Sequence, residues 1–150
     1  MRLPARPRLS GRRTALSVPR PTVLHMDARQ LLTTLCATID EHRWDDLPHL
    51  LHEDFVCRLV HTGEELDKAG WVQLNAEYPG FESMRVEDLV AADDRGVARC
   101  HVTGHLDGTV ERFAVASFIT VRDRLISELT EVWTDLGVEV PSERRVRDDD

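Results

Sequence analysis

The chain has 150 residues, one domain's worth, with 41% hydrophobic residues and a formal net charge of -8. The charge is uneven: residues 1–26 hold Arg2, Arg6, Arg8, Arg12, Arg13 and Arg20, four prolines and no acidic residue, which leaves -14 on the remainder. A body this acidic disfavours nucleic acid and an anionic membrane as partners, since both need a positive face, and no run approaches the roughly 20 apolar residues of a membrane span.

Pro19, Arg20 and Pro21 interrupt Ala15–Val18, the only candidate for a secretory apolar core, and none follows Arg12-Arg13. Met26 stands directly before a helix start, so residues 1–25 read as a disordered arm or as upstream sequence included by a misplaced start. Asp27 followed by Gln30 has capping-box spacing, and Leu31, Leu32, Leu35, Cys36 and Ile39 then recur at helical spacing. A second, shorter helix capped by Asp45 or Asp46 tolerates Pro48 in its first turn and buries Leu47, Leu50 and Leu51. Phe55–His61 reads as a strand covered on both faces, and a third helix is expected from about Glu64 to Tyr78, stopped by Pro79-Gly80.

Four strands follow: Met84–Ala92, Val97–Leu106, Val110–Arg122 and Leu125–Asp135. Asp93-Asp94-Arg95-Gly96 reads as a four-residue turn with glycine at a positive φ, and the later gaps are only two or three residues, Asp107-Gly108-Thr109 and Asp123-Arg124. Gaps that short force antiparallel hairpins, because a parallel crossover needs a dozen or more residues. Helices followed by a long meander predict an α+β domain in which three N-terminal helices pack on a strongly curved, mostly antiparallel sheet. The organisation is then a basic leader over 1–26, this domain over 27–136 and a charged tail over 137–150. Cys36, Cys57 and Cys100 are odd in number and far apart, which fits buried thiols in a reducing cytoplasm rather than a disulfide framework.

Two phrases carry a family resemblance. HRWDDLPHLLHEDFV, His42–Val56, resembles the second-helix phrase of the nuclear transport factor 2-like superfamily, in its SnoaL-like, polyketide cyclase-like branch, and VRDRLISELTEVWTD, Val121–Asp135, is similar to the final hairpin of those proteins. The resemblance covers about Asp27 to Asp135. It implies a cone-shaped α+β fold, usually a homodimer, here through the sheet, with an apolar pocket between helices and sheet. Its members include polyketide cyclases, ketosteroid isomerases, scytalone dehydratase, limonene epoxide hydrolase and proteins without catalysis, so the fold alone does not name a reaction.

The enzymes of this superfamily mostly use a carboxylate or histidine in an apolar pocket, where burial raises a carboxylate's pKa and makes it a better base. On the last strand, period two puts Glu131 and Asp135 on the face of Leu125, Leu129 and Trp133, which marks them as candidate bases. The alternative is structural: Asp135 capping a turn, and Glu131 pairing with Arg112 or Arg99. On the strand Val97–Leu106, Arg99, His101, Thr103 and His105 share one face, and Ala98, Cys100, Val102, Gly104 and Leu106 the other. An apolar face normally marks the core and would turn the polar one outward. Against this, Arg99-x-His101 is similar to the Arg-x-Asp pair on a pocket strand of limonene epoxide hydrolases, departing at its second position, and would stabilise an oxyanion.

His61 with His101 imitates scytalone dehydratase's histidine pair without its tyrosines, and Asp135 with His101 or His105 is a possible counterpart of the SnoaL-type aspartate and histidine. Trp133, Tyr78, Trp71 and His61 are the candidate ligand contacts. His49 and His52 have a spacing that two metal ligands could use, but they fit the exposed face of an amphipathic helix better. With no glycine-rich phosphate loop, Ser/His/Asp elbow or nucleophilic cysteine motif, no cofactor or metal is expected. The expected function is to bind a small apolar molecule, either with cofactor-free cyclisation, isomerisation or dehydration of a carbonyl compound, or as a binding or dimerisation module without catalysis.

Overall fold

The computed structural model describes residues 26–139, 141 and 144. Apart from Met26 at one end and residues 137–139, 141 and 144 at the other, the expected leader and tail lie outside the described residues.

Helix α1 (Ala28–Asp40) starts with the expected capping box: Asp27 Oδ1 accepts from the Gln30 amide at 2.8 Å, and Gln30 Oε1 from the Asp27 amide at 2.9 Å. Its stripe of Leu31, Leu32, Leu35, Cys36 and Ile39 is buried against the sheet. At its far end Asp40 Oδ1 accepts from the Met84 amide at 2.8 Å, which fixes the helix to the sheet.

The second helix is a 3₁₀ helix, Trp44–Leu50, without a side-chain cap. Asp45 and Asp46 lie inside its first turn instead of capping it. Pro48 explains the difference, because it has no N–H and its ring clashes with the carbonyl four residues back, so an α-helical ladder cannot form through it. Strand β1 (Leu51–Leu59) therefore begins and ends earlier than expected, and His61 lies in the turn beyond it. Phe55, Cys57 and Leu59 are buried, but Arg58 and Val60 are exposed, so the far face is open rather than covered.

The expected third helix divides in two. Glu65–Asp67 forms a short edge strand, β2, antiparallel to β1, and α2 runs over Lys68–Ala76, capped by Asp67 Oδ1 on the Gly70 amide at 2.8 Å. Asp67 is an N-cap residue, and its extended backbone ends the preceding strand as it starts the helix.

The meander comprises β3 (Phe81–Ala92), β4 (Arg95–Leu106), β5 (Thr109–Arg122) and β6 (Leu125–Asp135). The β3–β4 turn is Asp93-Asp94, with Asp93 at φ 53°, while Gly96 pairs inside β4. A Cβ on Gly96 would sit 3.3 Å from Leu32 Cδ2, so glycine serves close helix–sheet packing there, not the turn. The sheet order is β2-β1-β6-β5-β4-β3, antiparallel except where β1 lies parallel to β6. This curved α+β sheet, with its helices on one face, puts the core between α1, α2 and the concave wall.

Candidate functional site

A cavity of about 570 Å³ opens between the end of α1, the 3₁₀ helix, α2 and the sheet. Its wall is apolar and aromatic: Ile39, Leu59, Leu66, Met84 and Val102 alternate with Trp44, Tyr78, Phe81, Phe113 and Trp133. Edge-to-face contacts order the rings, with Trp44 and Phe81 centred 5.9 Å apart and Phe113 and Trp133 6.2 Å apart. The polar lining consists of His61, Thr62, Glu64, Asn75, Glu131, Thr134 and Asp135.

Glu131 is the buried acidic residue of this lining. Its partners across the sheet are Leu59 on β1 and Ser117 on β5, so alternation along β6 directs its side chain into the concave side. The residue is only 7% exposed, yet both carboxyl oxygens are partnered: Trp71 Nε1–H donates to Oε1 at 3.0 Å and Trp133 Nε1–H to Oε2 at 2.6 Å. Burial holds its pKa above the usual carboxylate range, opposed by the Trp133 and Trp71 N–H groups and by nearby His61. No arginine takes part, so the expected pairing with Arg112 or Arg99 is replaced by two indoles.

The other predicted residues separate into three groups. Trp133, Tyr78, His61 and Asp135 line the cavity with Glu131, Asp135 and Tyr78 at its exposed rim. Trp71 is buried beneath it, against Phe55, and reaches it through its N–H to Glu131. Arg99 and His101 lie on the opposite face of the sheet. Ala98, Cys100 and Val102 are buried on the helix side, so alternation turns Arg99 and His101 outward, where Glu87 and Arg85 neighbour them. Burial of the apolar residues thus turns Arg99 and His101 away from the cavity. His105 is also outside it and pairs with Glu82 at 2.5 Å.

His52 is engaged structurally: its Nδ1 accepts from the Asp54 amide at 3.0 Å, and Nε2 faces Asp123 Oδ2 at 3.1 Å. Among the described residues no group of three or more His, Cys, Asp or Glu could hold a metal ion. The three cysteines are free and buried, with burial the main cause that pushes the Cys57 thiol up. Among the described residues no helix is long and apolar enough to cross a membrane.

Sequence reasoning missed Trp44, Phe81, Phe113 and Glu64. Trp44 sits in the phrase that carried the family resemblance but opens a 3₁₀ helix with no α-helical periodicity to orient it. Phe113 was accessible to alternation, since Val115, Ser117 and Ile119 are buried on the same face.

A curved sheet closed by helices around an aromatic cavity with a buried carboxyl on its last strand defines a nuclear transport factor 2-like cone. The chain belongs to the SnoaL-like domain family, whose model matches residues 32–129. It is similar to a candidate ketosteroid isomerase from Kribbella flavida, 27% identical over 79% of this chain and 89% of that one, with a TM-score of 0.67. IdmH of Streptomyces antibioticus, a candidate polyketide cyclase, is 19% identical over 69% and 88% with a TM-score of 0.60. An LEH-like epoxide hydrolase of M. tuberculosis is 14% identical over 71% and 81% with a TM-score of 0.61. The last two likenesses are of fold alone. No curated protein sequence matches significantly.

Proposed function

We propose that this SnoaL-like protein encloses a small, mostly apolar carbonyl compound and moves a proton on it without a cofactor, in a cyclisation, isomerisation or dehydration. The single observation behind this reading is the Glu131 carboxyl, buried in the wall of an aromatic cavity with both oxygens fixed by indole N–H groups. Burial makes the carboxylate a stronger base, and the two donors keep ionisation within reach and fix the oxygens in place. Glu131 would take a proton from the carbon beside the carbonyl. The resulting oxyanion would accept a hydrogen bond from His61 or the Tyr78 hydroxyl, both in the lining. The protonated Glu131 would then return the proton to another carbon or to a departing hydroxyl. The likeness to the Kribbella protein, described as a candidate ketosteroid isomerase, supports the same class.

The decisive test is solvent deuterium exchange at carbons next to the carbonyl in a panel of cyclic ketones, followed by NMR. Exchange above background that disappears in Glu131→Gln is the expected result, and equal exchange in both proteins removes Glu131 from the chemistry. The second reading, a binder without catalysis, rests on the fact that each Glu131 oxygen already has an indole partner. Binding of the ketones without exchange would favour it.

The reading includes a homodimer through the outer sheet face, where Val60, Val90, Phe118 and Val132 are exposed, and a reducing cytoplasm, on the three free thiols. Phe118→Asp is expected to convert a dimer to a monomer in light scattering. A monomeric wild-type protein refutes the dimer.

A further inference from the structure

We propose that the small, mostly apolar ligand of the cavity carries an organic cation, an amine or quaternary ammonium group, with its charged end among the rings and carboxylates and its carbonyl, where it has one, beside Glu131. This deepens the reading of the cavity as a ligand site, on which it rests, and does not depend on the proton-transfer chemistry.

The lining holds three carboxyl groups, Glu64, Asp135 and Glu131, and among the described residues no lysine or arginine lines it. An anionic group entering the cavity would meet three carboxyl groups and only His61 as a basic partner. A carboxylate or phosphate ligand would therefore give up its hydration for repulsion. A neutral ligand gains the burial of its apolar surface and hydrogen bonds to groups such as Asn75 and Tyr78. A cation gains the same burial and two electrostatic attractions more.

The first attraction comes from the aromatic residues of the wall, Trp44, Tyr78, Phe81, Phe113 and Trp133, since a ring's quadrupole attracts a cation seated over its face. The second comes from the carboxylates, acting across a partly enclosed space of low polarity. Each Glu131 oxygen accepts one N–H from an indole and has a further lone-pair direction unused by that bond. The formal net charge of -8 adds a long-range field that draws cations toward the chain.

The experiment uses the full chain and three probes of nearly equal shape: phenethyltrimethylammonium, its uncharged isostere in which tert-butyl replaces the trimethylammonium, and phenylpropionate. Binding is followed by NMR on the tryptophan indole N–H signals. The expected result is at least tenfold tighter binding of the cation than of the isostere, with phenylpropionate weakest. In the double variant Glu64→Gln, Asp135→Asn, whose changes lie at exposed positions and spare the fold, the cation should lose several-fold in affinity while the isostere is unchanged. Trp133→Leu should also reduce the preference for the cation.

Equal or tighter binding of the isostere overturns the cation proposal and leaves the apolar cavity reading intact. The same holds if the cation preference survives in both variants. Failure of both the cation and the isostere to bind overturns the cavity reading together with this proposal.

Discussion

Replacing Glu131 with Gln tests the site through folding stability, independently of any substrate. Burial raises the native-state pKa of Glu131, so between the unfolded value, about 4.3, and the native value the folded protein holds a proton that the unfolded chain has released. Stability must therefore fall as pH rises through that interval, by at most about 1.4 kcal/mol per pH unit, and level off above it. At about 4 °C per kcal/mol for a domain of this size, the wild-type Tm should drop by up to about 6 °C per pH unit inside the window relative to the variant. The Gln side chain keeps the volume and does not titrate. Its oxygen can accept from Trp71 or Trp133, but its NH₂ then confronts the other indole N–H, which leaves a buried donor unpaired at a cost of about 1–3 kcal/mol. The wild type should thus be the more stable protein near pH 4.5, and its lead should shrink or reverse as the pH approaches neutrality. Thermal unfolding by circular dichroism across this range gives the difference directly. A wild-type-minus-variant Tm that stays flat with pH refutes the claim that burial dominates the Glu131 environment.

Trp133→Phe removes the 2.6 Å donor, so the ionised carboxylate should lose about 1.5–3 kcal/mol of support and the Glu131 pKa should rise further, read by NMR titration of the labelled carboxyl carbon. An unchanged or lower pKa contradicts the role given to the indole. Gly80→Ala places a methyl 2.0 Å from the His105 carbonyl oxygen at φ 76°, and should cost about 2 kcal/mol or more in urea unfolding, whereas wild-type stability would show that the loop simply shifts. Arg99→Ala and His101→Ala, on the outer face, should leave probe binding and deuterium exchange at wild-type levels, and a tenfold loss in either would return this face to the site. Asp27→Ala should cost about 1 kcal/mol through loss of the capping box, and no change in unfolding midpoint would refute it.

The sequence alone determined the elements whose signals are local. The Asp27–Gln30 capping box, the apolar stripe of α1 and the short gaps between the last strands each need only neighbouring residues, and each appears in the fold. Period-two alternation put Glu131 on the concave side of β6 with Leu129 and Trp133, but not with Leu125, because a register shift between Thr120 and Val121 seats Ile126 on that side instead. Tertiary structure decided what depends on distant pairing. The split of residues 64–78 into β2 and α2 follows from the edge of β1 capturing Glu65–Asp67, a competition no local pattern expresses. The outward turn of Arg99 and His101 followed once α1 covered the other face of β4. The two indoles on Glu131 come from α2 and from its own strand, so Trp71, 60 residues away, meets the carboxyl only when the helix closes over the sheet. Local chemistry selected the strand and its face, and long-range packing supplied the burial and the donors that set the character of the carboxyl group.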